Sequence, residues 1–289
     1  MKILYFIILT CVSLPAFANI KFESDVYELE FVSENINLTK EEKINQIKIL
    51  TFNQIFSQLL TNEDFNKIKT DDINFIDKFI LNIKINNEKI VNKNYFSKVL
   101  VNYNKEIIFN YLIKNKYKYV DKKPDNFLMI IKEKNNLKNY LLSEENKFYK
   151  YLKNTKNLSE YFIIPNLDYN DRFLLHEYNF ENFDNLEKNI QLNQKYNSHN
   201  QILINSTKKN NYYINDIYLY DNSKKYFITR LKLKEMNFEN FFQIVLFESI
   251  NKWKEVNLVD TTIVSKLNCI IKINNIYELS YVRNLLNKN

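Results

Sequence analysis

The 289-residue chain contains no glycine, where an average protein has about 7%. This excludes the glycine-rich phosphate loop, the dinucleotide-binding fingerprint and the Gly-x-Ser-x-Gly elbow. Each needs a residue without Cβ where the backbone turns sharply or meets a ligand. Positions of positive φ then fall to Asn and Asp, the next most tolerant residues. The pairs Asn86-Asn87, Asn135-Asn136, Asn210-Asn211 and Asn274-Asn275 are the expected turns.

Cysteine is almost absent, with Cys11 and Cys269 alone. A single cysteine left after processing forms no intramolecular disulfide. Cys269 lies in an apolar run, which predicts a buried, inert thiol. Arginine is limited to Arg172, Arg230 and Arg283, so lysine carries nearly all the positive charge. Alanine is scarce, while Asn, Ile, Lys, Tyr and Phe are abundant, the composition that AT-rich codons favour. The formal charge is +7, one less once Lys2 is removed. The lysines are spread along the chain, with no Arg-rich run interleaved with aromatics, so nucleic acid is not an expected partner. A basic protein can still make weak contact with an anionic membrane or polymer.

No apolar run reaches the roughly 20 residues that span a bilayer. The nearest is the N-terminus. Met1-Lys2 precedes an apolar stretch, Pro15 breaks it, and Ala16-Phe17-Ala18 follows. Small residues at Ala16 and Ala18 are what signal peptidase accepts, which predicts cleavage after Ala18 and a periplasmic mature chain with no transmembrane span. Two rivals are weaker. Thr10 before Cys11 fits a lipobox poorly, and Pro15 argues against an uncleaved anchor helix.

Behind the signal the apolar content suffices for a core. Residues 25–32 alternate as a half-buried strand. Thr39-Lys40-Glu41-Glu42 reads as a capping box that starts a helix, with apolar residues at helical spacing to Leu60. A short helix over 72–78 and an antiparallel ribbon of 79–85 with 95–103 complete a β-α-β-β unit. From Lys105, helices over 107–113, 144–152, 181–196 and 238–253 alternate with strands over 127–131, 161–164 and 201–205. Strands 212–220 and 225–233 form a meander at one edge. A strand over 267–273 and a helix over 277–286 end the chain. The fold class is therefore α+β. The expected divisions are a signal peptide 1–18, an N-terminal domain 19–104, an α/β mixed-sheet domain 105–258 and a C-terminal β-α unit 259–289.

Candidate chemistry is sparse. His176-Glu177 could pair a base with an orienting acid, and His199 is the only other histidine. Their spacing is not that of a zincin. The acid pairs Glu41-Glu42, Asp71-Asp72 and Glu144-Glu145 stand at expected helix starts, where the helix dipole favours negative charge without catalysis. Asp168, Asp171 and Glu177 cluster after Pro165, but not as a calcium loop. Trp253 continues the apolar stripe of the 238–253 helix, as a core residue would. No catalytic, cofactor-binding or metal-binding residue is assigned, and no cofactor is expected.

The order of elements resembles an uncharacterised bacterial envelope family catalogued as domain of unknown function 2066. The resemblance rests on four stretches. They are the strand and helix through Phe56-Ser57-Gln58-Leu59-Leu60-Thr61, Phe75-Ile76-Asp77-Lys78-Phe79 leading to Tyr95 through Tyr103, Asn185-Leu186-Glu187 through Ile204, and Trp253 through Asp260. It covers nearly all the mature chain. Its middle portion is similar to the α/β module of periplasmic accessory proteins such as the translocation protein TolB, a likeness of fold alone. This chain lacks the glycines that relatives place in turns, and it ends where relatives continue with further strands. The resemblance implies an exported protein and carries over no catalytic residue. The expected function is a non-enzymatic periplasmic accessory factor that binds another envelope protein. The alternatives are a hydrolase with a site near His176 and Glu177, and lysine-mediated attachment to an anionic membrane or polymer.

Overall fold

A computed structural model describes residues 20–135, 138–141, 145–155, 158, 160–166, 168–176, 186–209, 212–221, 224–260 and 278. The signal peptide with Ala16 and Ala18, the terminal strand and helix with Cys269, Glu144, Glu177, Asn136 and the pairs Asn210-Asn211 and Asn274-Asn275 lie outside these residues. The chain is α+β, with strands in two sheets.

The first unit runs β1 (Tyr27–Val32), α1 (Ile36–Leu59), α2 (Asn62–Ile68), α3 (Ile73–Ile76), a 3-10 turn (Asp77–Phe79), β2 (Ile80–Val91), β3 (Asn94–Tyr103) and α4 (Lys105–Lys114). The sheet order is β1-β3-β2, antiparallel throughout. Period-two alternation buries Tyr95, Ser97, Val99, Val101 and Tyr103 on one face of β3. Helix α1 covers that face with Phe52, Ile55, Phe56 and Leu59. Its one buried polar residue is explained by the sheet, because the Thr51 hydroxyl bonds the Tyr103 hydroxyl at 2.7 Å.

Three local expectations are corrected. Helix α1 starts one turn early, because the Asn35 side chain accepts the Leu38 N–H at 3.2 Å and is at least as good an N-cap as threonine. Thr39 instead bonds Ser33, and Glu41-Glu42 lies inside the helix. Asn86-Asn87 is not a turn, since Asn86 pairs with Lys98 and Asn87, at φ 54°, opens a bulge with Glu88, after which pairing with β3 resumes at Lys89. The hairpin turn is Asn92-Lys93, with Asn92 at φ 56°. Finally, Ile108 and Leu112 of α4, with Tyr119, belong to the first core, so the expected boundary after residue 104 falls one element early.

The second unit runs β4 (Phe127–Asn135), β5 (Lys138–Leu141), α5 (Lys147–Asn154), β6 (Phe162–Ile163), α6 (Tyr169–His176), α7 (Leu186–Tyr196), β7 (Asn200–Lys209), β8 (Tyr212–Asp221), β9 (Lys224–Leu233) and α8 (Phe238–Val256). The order is β5-β4-β7-β8-β9, with β6 also beside β4. Strands β6, β4 and β7 are parallel and the others antiparallel, which makes the expected mixed sheet with an edge meander. The Phe148 ring meets Phe238, Phe241 and Phe242, so α5 and α8 share a face. Gln201 bonds Asn193 at 2.7 Å and ties α7 to the other face.

Along one side of β4, β6 stops at Leu128 and β5 begins at Lys132. Side chains fill the gap. The Tyr149 hydroxyl accepts from Ile131 N at 2.9 Å and donates to Met129 O at 3.1 Å, while Asn146 donates to Ile131 O at 3.3 Å. Burial pushes the Tyr149 hydroxyl pKa far up.

The described residues through Val259 form one compact unit holding both cores. Tyr119 packs in the first core and Val120 in the second. Val120 N donates to Leu59 O at 2.9 Å and Val259 N to Tyr119 O at 2.8 Å. Helix α1 has no basic residue in its last turn. Lys254 of α8 supplies one, donating to Leu60 O at 3.0 Å and also to Ser57 O.

Candidate functional site

Parallel strands in open α/β sheets present ligand sites at their C-terminal ends. In the second sheet that end holds the row Asn135, Lys208, Tyr213 and Leu233 across β4, β7, β8 and β9. A hollow of about 490 Å³ opens there, lined by Lys147, Lys208, Tyr213, Lys234, Glu235, Met236 and Phe238. The three lysines come from three segments, the first turn of α5, the end of β7 and the loop after β9. Lys147 and Phe238 are the first residues of α5 and α8, so two helices begin at its rim. Their N-terminal ends add to the positive field.

The surroundings extend the pattern. Lys208 lies over the Tyr213 ring at 5.5 Å. On the opposite sheet face Lys232 lies over Tyr212 at 4.6 Å. Phe227, 53% exposed, packs edge-on against Tyr218. Cation–π placement holds an ammonium without neutralising it.

Of the residues singled out in the sequence, His199 is exposed before β7, His176 ends α6, and Glu177 lies outside the described residues. The Asp168 and Asp171 carboxylates do come together, but around an ammonium. Lys195 bonds Asp168 at 2.6 Å and Asp171 at 2.8 Å, and the Tyr196 hydroxyl also bonds Asp171. The Lys195 contact holds Asp168 below the ordinary carboxylate range, and burial pushes Tyr196 up to about 12. This cluster ties α7 to Asp168 in the loop after β6 and to Asp171 in the first turn of α6. Among the described residues no three His, Cys, Asp or Glu gather as metal ligands. Asp72 caps α3 through Asn74 N and Phe75 N, as a helix-start acid should. Trp253 is 3% exposed, in the second core.

A second hollow, of about 680 Å³, is lined by α2, by residues after α4 and by α8. Part of the charge there is consumed locally. Lys67 bonds Glu63 at 2.9 Å and Asp64 at 2.7 Å, and Asp64 accepts from Lys118 N at 3.2 Å. The lysine-lined hollow is therefore the stronger candidate. Sequence reasoning missed it because its lysines are far apart in the chain. The one available signal was the local excess of Lys208-Lys209 and Lys232 to Lys234 around a hairpin. The chain matches no known family model, and no curated protein matches it.

Proposed function

We propose that this chain is an exported accessory protein of the bacterial envelope that works by binding, with the basic end of the second sheet as its contact surface. The observation that carries the reading is the convergence of Lys147, Lys208 and Lys234 on one hollow. The positive charge of Lys147 in the first turn of α5 opposes folding by about 0.3–1 kcal/mol. An anionic partner removes that cost and gains the Coulomb energy. The partner is an envelope component that presents negative charge.

The export half rests on the pattern ending at Ala16 and Ala18. Ile20, two residues past the expected cleavage, is buried in the first core, so a chain processed after Ala18 keeps that contact. No described helix is long and apolar enough to cross a membrane. The likeness to the envelope family of unknown function 2066 belongs to the same proposal.

The test is site-specific photo-crosslinking in cells. A photoreactive residue at Lys209 or Tyr212 should capture an envelope component that the same probe at Lys43 on α1 does not. Equal capture from both places, or capture from Lys43 alone, overturns the choice of surface.

A further inference from the structure

Inward of the basic rim the same sheet face turns polar, beneath the residues that line the hollow. One row inward on the same sheet face are Glu133, Ser206 and Asn215, paired across β4, β7 and β8. Ser206 lies two residues, about 7 Å, inward of Lys208. Ser206 and Asn215 are fully buried, and Ser206 Oγ and Asn215 Oδ1 have no hydrogen-bond partner. A buried hydroxyl without a partner costs about 1–3 kcal/mol, and native structures hold few of them. Glu133 is engaged, accepting the Lys147 N–H at 3.1 Å.

The electrostatic balance selects the ligand class. Three lysines and one acid, Glu235, line the hollow. Among the described lining residues three positive charges against one negative leave +2, and the start of α5 adds to it. Lysine suits such a site as a set of point charges on flexible stems, a common way to hold phosphate. The Met236 side chain and the Phe238 ring form an apolar wall, against which a carbon-bearing group attached to the anion packs.

The geometry points to a binding site for a phosphate monoester dianion, held by Lys147, Lys208 and Lys234. This rests on the reading of the basic end as the contact surface. The monoester could sit on a soluble molecule or on a lipid headgroup such as that of phosphatidic acid.

The experiment titrates the mature protein with inorganic phosphate and with glycerol phosphate at fixed ionic strength. Backbone amide shifts report the site, and chloride is the control. Saturable shifts confined to residues around Lys147, Lys208 and Lys234 are expected. Lys208→Gln should weaken binding at least tenfold, and Lys40→Gln, in the first unit, should leave it unchanged. Both variants should keep the thermal midpoint of the parent within a few degrees, which separates lost binding from lost folding. In a second arm, vesicles of phosphatidic acid in phosphatidylcholine are compared with vesicles carrying the monoanionic phosphatidylglycerol. Preference for phosphatidic acid that is lost in Lys208→Gln assigns a lipid source. Binding of glycerol phosphate without vesicle binding assigns a soluble one. Shifts scattered over surface lysines, equal effects of chloride and phosphate, or unchanged affinity in Lys208→Gln each overturn the site. If phosphate fails while crosslinks from Lys209 and Tyr212 persist, the pocket is wrong and the contact surface stands. If both fail, the reading of the basic end falls with it.

Discussion

Four lysines of the first unit meet acids, whereas those at the end of the second sheet meet rings or a hollow, although Lys78 and Lys105 of the first unit also lie over rings. In the first unit Lys40 meets Glu88 at 2.7 Å, Lys48 meets Asp77 at 2.9 Å and Lys98 meets Glu28 at 2.8 Å, while Lys93 pairs with Glu34. Lys98 holds the Glu28 carboxyl below its ordinary range. At the basic end, Lys208 and Lys232 lie over tyrosine rings, and Lys147 and Lys234 border a hollow with Glu235. The same lysine-rich composition supplies both regions. Composition accounts for how many lysines there are and says nothing about what each one faces. An acid partner consumes a charge locally, whereas a ring or a hollow leaves it available to a ligand.

The largest effects test whether the two regions are one folding unit. Phe56 fills the first core and Phe242 the second, both fully buried. Phe56→Ala and Phe242→Ala should each cost about 3–5 kcal/mol. If the junction couples the cores, either substitution shifts one common denaturant transition. Two transitions, each moved by only one substitution, would separate the cores.

Lys254 tests the junction itself. Burial pushes its pKa down to about 8 from the ordinary 10.5. Below pH 8 both folded and unfolded chains bind the proton, and the cost of the buried charge is fully present. Between pH 8 and 10.5 the unfolded chain holds the proton more tightly, so this group makes stability rise with pH. The full gap corresponds to about 3 kcal/mol. The buried tyrosines titrate in the opposite sense, so the readout is a difference. The stability of the parent minus that of Lys254→Met should climb across this window, and a flat difference refutes the assignment.

Tyr149→Phe comes next, at about 1–3 kcal/mol, because it strands the buried Ile131 N–H and Met129 carbonyl. Hydrogen exchange at Ile131 should quicken more than at Leu203 on the neighbouring strand β7. Equal protection at both amides would show that β4 needs no side-chain bridge.

Much of the fold was legible because apolar period carries it. The alternation in 95–103 and the helical spacing in 44–60 both correspond to observed elements. What was not legible depends on partners distant in sequence. The Tyr149 bridge joins residues 18 and 20 positions apart, and Lys254 caps a helix almost 200 residues away. Short elements such as α2, β5 and α6 fall below the length at which period can be read. The candidate site had the weakest signal. Three lysines in a lysine-rich chain are unremarkable until β4, β7, β8 and the starts of α5 and α8 bring them together.

The smallest effects give the sharpest form of the comparison, because they are predicted to differ in sign. Glu28→Gln removes an exposed ion pair on the first sheet and should destabilise by about 0.2–1 kcal/mol at low salt, fading as salt rises. Lys147→Gln removes a positive charge from the positive end of α5 and should stabilise by about 0.3–1 kcal/mol without ligand. Chemical denaturation at matched low ionic strength measures both. A destabilised Lys147→Gln would mean that its charge already has an internal partner, and the contrast between the two regions would disappear. A stabilised one whose advantage reverses on adding phosphate would show a charge placed for binding at the expense of folding.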